Sequence, residues 1–527
     1  MNRKHIYNII IKSSIILVFI LIIVWGYQQL NTREKSVNIN LYTLVPQDCY
    51  AIVETNDIAT WIHHVKGAQF SDAFQEIYSS PILRKIIPHF EHQLKSRNHN
   101  SENRINRLVI SFHQQGENYE PILYGALPFN DLSFFENIFK LEQANLSPKE
   151  ITYKEEIITI LPLGRDFIAC YFQPGFFIMS QQIKLIEQAI DSYKESKSVI
   201  NNLHFKEMIE KQQVGEHPLT LFLNNQSIDS ISRNKQVPLA HWQRYNIRIN
   251  NESIYLTGEC FDSEEEESIA GIVKNEQKRE PIPAEDLPKQ VKQFYQIPFL
   301  ADQTTLQPIA QDSSILLGNK NLKDLLLLYS SRQMEIIDFY PANSTNSETI
   351  IRFPLVDTIS EVEKFIRNTR LAKRMPSIWT QTKGYPVWII HSSNLLYPHL
   401  KTTDENKYFL TISDKQFIFG TELNTIKEYL FETTETLARA SVSHSSDNHD
   451  YYKYCLNDLA EEANFTLVAD LSLLLDNTIP EKKDSIILPS FILKQADFFK
   501  NFMLSIQLIH THEETSTNII FNYKEAK

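Results

Sequence analysis

Glycine is scarce in this chain: only 12 of the 527 residues are glycine, and the closest two are Gly116 and Gly125. The loops that cradle phosphate groups (GxGxxG and GxxxxGK) and the nucleophile elbow of many hydrolases (GxSxG) all need glycines closer together than this. The sequence therefore excludes nucleotide-binding loops of these two kinds and a hydrolase built on such an elbow.

Two other short motifs are missing. The 16 histidines include no HExxH, and the four cysteines (Cys49, Cys170, Cys260 and Cys455) are too scattered for CxxC. These absences exclude a zincin-type metal site and a CxxC redox site. Cys170 and Cys260 lie in strand-like runs, where buried free thiols are common. A disulfide stays open as an alternative, because an oxidising compartment would permit one.

Basic residues are fewer than acidic residues, with 52 lysines and arginines against 64 aspartates and glutamates. The formal net charge is −12, and it becomes −15 without the three basic residues Arg3, Lys4 and Lys12 near the N-terminus. A body with this charge repels nucleic acid and anionic lipid surfaces. We therefore expect no nucleic-acid partner.

Long hydrophobic runs are also rare, and the one that is present is IIIKSSIILVFILIIVWGYQQL, from Ile9 to Leu30. Residues 6–27 supply the roughly 20 residues that a bilayer requires. Basic residues before the run predict a cytoplasmic N-terminus, and the bulky VWGYQQLNT stretch lacks the small residues of a signal-peptide cleavage site. The sequence predicts an uncleaved transmembrane signal anchor that contacts the membrane through residues 6–27, with the bulk of the chain extracytoplasmic.

Two stretches far apart in the chain repeat the same pattern: FFIMSQQIKLIEQAI (Phe176–Ile190) and QFIFGTELNTIKEYL (Gln416–Leu430). Each predicts a strand that leads into an amphipathic helix. Four further pairs of blocks follow in one order: residues 51–62 with 315–326, 127–139 with 353–366, 217–228 with 463–474, and 245–261 with 503–523. In the second pair, Ser133 and Ser360 are predicted helix N-caps, and the fourth pair predicts two hairpins. We interpret the chain as a duplication.

The duplication predicts four segments: residues 1–31 as a cytoplasmic tail and anchor, 40–262 as a first repeat unit, 263–304 as a connector, and 305–527 as a second repeat unit. Each unit mixes strands and helices without a βαβ rhythm. The predicted fold class is therefore α+β, an N-terminal transmembrane helix followed by two tandem, related α+β units with mainly antiparallel sheets. The acidic run Asp262–Ser268 lacks the glycine-containing loop of a calcium site, so we interpret it as a solvated turn.

The opening LVPQDCYAIVETND and the element FIMSQQIKLIEQAI resemble a family of membrane-anchored bacterial envelope proteins that is catalogued only as a domain of unknown function. The resemblance rests on diffuse patterns over most of the extracytoplasmic part. It implies an uncleaved single-pass protein of the bacterial inner (cytoplasmic) membrane, with the N-terminus in the cytoplasm and the bulk in the periplasm. It transfers no catalytic residue, because the family offers none.

Two groups of histidines are candidates for a metal site. One group would bind zinc if its members converged: His63, His64, His89, Glu91 and His92. We favour an exposed amphipathic face for this group. His510 and His512 point to the same side of a strand near a turn, which favours a solvated hairpin tip.

Three other features have a functional and a structural interpretation. Asn224 and Asp470 occupy matched positions after a repeated strand, and helix capping is favoured over a pseudo-symmetric site. The aromatic stretch Tyr385–Pro398 offers a surface for sugar stacking, but such residues more often belong to a core. A carboxylate pair for glycoside hydrolysis is defined by its separation in space, which the sequence does not show.

We therefore assign no catalytic, cofactor-binding or metal-binding residue and expect no cofactor. The sequence does not decide whether the protein is an enzyme, but it favours a non-catalytic role. We expect a binding or scaffolding protein of the bacterial cell envelope, with an envelope protein or polymer as its partner. The alternative is an envelope hydrolase that uses carboxylates or a histidine in a cleft between the two units.

Overall fold

The computed structural model shows twenty strands that belong to one antiparallel sheet. It describes residues 39–71, 108–115, 118–126, 148–163, 166–211, 219–225, 238–262, 268–274, 276–299, 320–331, 333–341, 346–380, 384–391, 407–413, 415–439, 447–475, 492, 496–512 and 514–524. Two compact units divide the chain, unit 1 with residues 1–62 and 78–219, and unit 2 with residues 63–77 and 220–527.

Unit 1 contains seven described strands. They are β1 (Ala51–Thr55), β2 (Leu108–Gln115), β3 (Asn118–Ala126), β4 (Lys149–Tyr153), β5 (Glu156–Leu163), β6 (Asp166–Gln173) and β7 (Phe176–Ser180). Hydrogen bonds join them in the order β4-β5-β6-β7-β3-β2-β1. Helix α1 (Ile58–Gly67) begins in this unit, and α2 (Ile183–Glu195) and α3 (Leu203–Glu210) lie within it.

Helix α2 shows why the sequence folds as it does here. Its apolar side chains recur at helical spacing, and Leu185, Ile186, Ala189 and Ile190 are fully buried. Burial of each large aliphatic side chain contributes about 1.5–3 kcal/mol. The helix ends at Ser196, which adopts a left-handed conformation with φ of 53°. The predicted strand-to-helix element is confirmed here.

Unit 2 contains the remaining strands. They are β8 (Leu219–Asn224), β9 (Trp242–Ile249), β10 (Ser253–Phe261), β11 (Val291–Pro298), β12 (Gln333–Phe339), β13 (Glu348–Pro354), β14 (Lys373–Trp379), β15 (Gly384–His391), β16 (Lys407–Ile412), β17 (Gln416–Gly420), β18 (Phe465–Asp470), β19 (Phe502–Thr511) and β20 (Glu514–Tyr523). Their order is β14-β15-β16-β17-β13-β12-β11-β18-β19-β20-β10-β9-β8.

The described helices of unit 2 have between 4 and 17 residues. They are α4 (Ile269–Val273), α5 (Lys320–Tyr329), α6 (Ile359–Thr369), α7 (Leu423–Arg439), α8 (Asp447–Asn457), α9 (Leu471–Leu474) and α10 (Ala496–Phe499). The second strand-to-helix prediction is confirmed by β17 and α7. The N-cap of α6 is Thr358, whose hydroxyl accepts from Glu361 N, and not the predicted Ser360. The predicted cap Ser133 lies outside the described residues.

The same strand order occurs twice. Strands β1–β7 of unit 1 and strands β11–β17 of unit 2 are hydrogen-bonded in the same spatial order, so that β1 corresponds to β11 and β7 to β17. Within unit 2, β8-β9-β10 and β18-β19-β20 each combine one strand with a hairpin, and both predicted hairpins are confirmed. Strands β10 and β20 pair with each other from Ser253↔Asn522 to Cys260↔Thr515.

The predicted fold class is wrong. The described chain is mostly one large antiparallel sheet with few helices, not a pair of α+β units. Strand β11 forms inside the predicted connector 263–304. Strands β10 and β20, which close the two predicted units, pair with each other and satisfy each other's backbone groups. Nor does any helix in the described ranges have the length and apolar character needed to cross a bilayer. Residues 1–38, on which the anchor was predicted, lie outside those ranges, and the predicted domain boundaries stay a prediction.

One buried ion pair lies within the unit 2 sheet. Arg352 on β13 is 2% exposed, and its Nε and Nη2 donate to Glu335 Oε2 on β12 at 2.8 and 2.6 Å. Nη1 donates to Tyr429 OH at 2.6 Å. Burial lowers the pKa of Arg352, but attraction by Glu335 and Tyr429 outweighs this effect and places the pKa above its usual value. Arg352 is therefore charged.

Candidate functional site

A polar pocket opens in unit 2 where β11 ends and β12 and β18 begin. Its volume is about 410 Å³, within the range of roughly 300–1,000 Å³ for small-ligand sites. The lining residues are Glu276, Gln277, Arg279, Pro298, Ser331, Gln333 and Asn464. All except Pro298 are polar or charged, so the pocket suits a ligand that forms hydrogen bonds.

The segment that carries Arg279 is fixed to the sheet by backbone hydrogen bonds. Arg279 N donates to Ala463 O at 2.8 Å, and Ala463 N donates to Arg279 O at 2.9 Å. The guanidinium reaches the start of β12, where Nη2 donates to Ser331 O at 3.4 Å, and it also donates to Gln277 Oε1 at 3.0 Å. Its Nε and Nη1 donors bond to no described residue. Three of the five N–H groups of Arg279 are therefore open to a ligand.

Two more side chains bring unpaired polar atoms to the pocket. Ser331 Oγ is buried without a hydrogen-bond partner. Gln333 is 8% exposed, and its amide makes no hydrogen bond to a described residue. The Ser331 hydroxyl is the buried unpaired group of the two, and such a group costs about 1–3 kcal/mol. A polar group that entered the pocket would remove this cost.

Both polar atoms of the Asn464 side chain hydrogen-bond to backbone groups, which fixes its position in the wall. Its Nδ2 donates to Glu276 O at 2.6 Å, and its Oδ1 accepts from His510 N at 2.7 Å. Burial, together with the nearby charges of Lys274 and Lys278, lowers the pKa of His510. The His510 imidazole is therefore neutral at neutral pH.

A second polar group lies in unit 1 and joins a serine, a histidine and an aspartate. His113 Nε2 is 2.7 Å from Ser111 Oγ, and His113 Nδ1 is 3.1 Å from Asp48 Oδ1. Ser111 Oγ is also 2.9 Å from Tyr124 OH. Ser111 and His113 share one face of β2 because side chains alternate along a strand. The connectivity matches that of a Ser-His-Asp triad.

Burial argues against nucleophilic catalysis by this group. Ser111, His113 and Tyr124 are each 0% exposed, whereas a nucleophile has to reach its substrate. The hydrogen bond from His113 is the main cause that lowers the pKa of Asp48, so Asp48 is an ionised acceptor. His113 Nδ1–H then donates to Asp48, and Ser111 Oγ shares one hydrogen bond with His113 Nε2 and another with Tyr124 OH. Each of these polar atoms has a partner, as in a structural network.

The histidines proposed for zinc do not form a site in the part of the chain that is described. His63 and His64 are exposed on α1 with ring centroids 6.3 Å apart, and His89, Glu91 and His92 lie outside the described residues. No group of three or more potential ligands is present among the residues searched. The hairpin-tip interpretation of the second group agrees with the structure: it lies at the β19–β20 turn, where His510 Nδ1 is 3.0 Å from Thr515 Oγ1 and His512 is exposed.

All four cysteines are free, so no disulfide forms. Burial raises the pKa of Cys49 and Cys170 far above the usual thiol value, that of Cys260 to about 12 and that of Cys455 to about 11. Thiols in this state are poor nucleophiles.

The capping interpretation is confirmed for Asp470, which accepts from Ser472 N at 3.0 Å at the start of α9. It also accepts from Lys524 Nζ at 2.6 Å. Asn224 is the buried last residue of β8. In the aromatic stretch, Trp388 is 4% exposed, and Val387 belongs to the hydrophobic core. The core interpretation therefore applies to the described part of that stretch.

Sequence reasoning missed the pocket, because Arg279, Ser331 and Gln333 come from separate segments and form no motif. One weak signal existed in β12, QMEIIDF, where Gln333 and Glu335 interrupt an otherwise apolar start to the strand. Polar residues at alternating positions predict a polar side-chain row on one face of the sheet.

No protein-family model and no curated protein matches the chain. Among solved structures, the chain has weak structural similarity to TP0453. Crystal form I of TP0453 aligns with a TM-score of 0.26 and 10% identity over 43% of this chain and 81% of that chain. Crystal form III aligns with a TM-score of 0.26 and 9% identity over 43% of this chain and 82% of that chain.

Proposed function

We propose that this chain is a non-catalytic binding protein of the bacterial cell envelope. The observation that carries the proposal is the polar pocket, in which Ser331 Oγ, the Gln333 amide and the Arg279 guanidinium all have unused hydrogen-bonding capacity. The envelope location rests on the sequence of residues 1–31 and on the family resemblance. The partner is an envelope protein or polymer that presents a polar group to the pocket.

Site-specific photo-crosslinking in living cells tests this proposal. A photoreactive residue replaces Gln277, which lines the pocket and is exposed, and a matched control carries it at the exposed Lys364 on α6. We expect one discrete adduct from position 277 and none from position 364. The same adducts from both positions, or none from either, would contradict a binding role for the pocket.

A second candidate function is the envelope hydrolase, favoured by one observation, the Ser111–His113–Asp48 connectivity. Full burial of Ser111 opposes it. A fluorophosphonate probe labels an activated serine, and we expect no labelling of the folded chain. Labelling that disappears in Ser111→Ala would favour the hydrolase instead.

A further inference from the structure

The free groups of the pocket are mostly donors. Arg279 has three open N–H groups, and the Ser331 hydroxyl and the Gln333 amide add further donors. A ligand that pairs with them has to present acceptor oxygens. Because one of the donors is a planar cationic guanidinium, the acceptor that fits best is a planar anion able to accept two parallel N–H bonds.

The charge of the lining narrows the choice of anion. Arg279 is balanced by Glu276 in the same lining, so the pocket has no formal net charge, and the whole chain carries −12. The one guanidinium in the lining matches a single negative charge, whereas a phosphate carries up to two. A carboxylate carries one charge, and Glu276 is then available to accept from an N–H or O–H group elsewhere on the ligand.

From these features we infer that the pocket binds a carboxylate-bearing polar ligand, with Arg279 as the anchor of the carboxylate and Ser331 and Gln333 as its hydrogen-bond partners. This inference rests on the proposed binding function. Charge-assisted hydrogen bonds contribute about 1.5–3 kcal/mol. Loss of the ligand's charge should therefore weaken binding roughly tenfold or more.

Calorimetric titration of the full chain with three probes tests the inference. The probes are acetyl-Ala-Ala with a free carboxylate, the same dipeptide as its C-terminal amide, and a neutral disaccharide. We expect the free carboxylate to bind at least about tenfold more tightly than the amide. Arg279→Gln should abolish this difference, whereas Arg367→Gln, an exposed arginine on α6, should retain it.

Gln333→Met distinguishes a pocket effect from loss of folding. It removes an unpaired amide that is 8% exposed and keeps the buried volume, so thermal stability should stay equal or rise while affinity for the free carboxylate falls several-fold. Equal affinity for carboxylate and amide, or binding of the disaccharide alone, would overturn the carboxylate inference and leave the binding function standing. Failure of all three probes at millimolar concentration would also overturn the carboxylate inference, whereas the crosslink from position 277 decides the binding function separately.

Discussion

Replacement of Arg352 by methionine should destabilise unit 2 severely. The side chain of Glu335 is 7% exposed and accepts both fork bonds from Arg352 on one oxygen. Without Arg352, the described side chain that still donates to Glu335 is Gln296, from Nε2 at 3.3 Å. The variant therefore leaves a buried carboxylate without a compensating charge.

Breaking one side of such a pair costs about 3–5 kcal/mol, whereas replacing both partners by apolar residues is often neutral or stabilising. We therefore expect Arg352→Met and Glu335→Leu each to lose about 3–5 kcal/mol, and the double variant to lose less than about 2 kcal/mol. In the double variant, Tyr429 OH retains Asp286 O as an acceptor at 3.3 Å. Its hydroxyl is then not left unpaired.

Amide hydrogen exchange of β12 and β13 measures this effect locally, which matters because a chain with two compact units need not unfold in one step. A loss of about 3–5 kcal/mol accelerates exchange by roughly two to four orders of magnitude. Arg367→Met on the exposed face of α6 is the control and should change nothing. If the double variant lost the sum of the two single effects, or if Arg352→Met lost less than about 1 kcal/mol, the electrostatic reasoning would be refuted.

Three further predictions follow from single positions. The pKa of Asp48 is lowered in the folded state, so the ionised carboxylate contributes fully to stability above the ordinary pKa of about 3.9, and this contribution is lost as pH falls below it. In urea unfolding, the stability of Asp48→Asn should therefore depend less steeply on acid pH than that of the wild type. An unchanged slope would contradict this. A Cβ at Gly258 would lie 1.8 Å from the backbone oxygen of Arg244, so Gly258→Ala should lower the free energy of unfolding by about 3 kcal/mol, measured with denaturant. A Cβ at Gly67 meets nothing within 4 Å, so Gly67→Ala is the control and should be neutral or stabilising. Burial raises the pKa of Cys170, so mass spectrometry should find it alkylated by iodoacetamide only in denaturant, and rapid alkylation of the folded chain would count against the buried thiol.

The sequence predicted local structure well where one element determines the pattern. The strand and helix of 176–190 and of 416–430 were predicted from apolar spacing, because that spacing reports directly which face is buried. Both hairpins were predicted from alternation around polar turns. These features depend on neighbours in the chain.

Long-range pairing was not predictable in the same way. Strand β11 lies among prolines and charges, and its central position follows from partners in β12 and β18 that are distant in sequence. The repeat alignment also shifts: Pro354 pairs with Gln416 and Ala126 pairs with Phe176, so the counterpart of Pro354 is Ala126 and not the predicted Pro128. Hydrogen-bond register decides such an alignment, and a proline shared by two blocks does not.

The same register identifies a buried polar position that both copies of the strand order share. Tyr124 pairs with Ile178 on β7, and Arg352 pairs with Ile418 on β17, so the two side chains occupy equivalent places in their sheets. Tyr124 is 0% exposed and Arg352 is 2% exposed. A buried polar group needs a partner, and each copy supplies a different one.

The two solutions have different physical consequences. Tyr124 is neutral, and hydrogen bonds link it through Ser111 and His113 to Asp48, whose side chain is 60% exposed. Removal of one member of this hydrogen-bond network leaves a neutral group unpaired, which lowers the free energy of unfolding by about 1–3 kcal/mol. Arg352 is charged and depends on one buried carboxylate, so the second copy loses more when one member is removed. The shared strand order therefore does not make the two cores interchangeable. The register equivalent of Glu335 is Val109, and the buried carboxylate of that row lies one strand further away, at Glu54 on β1.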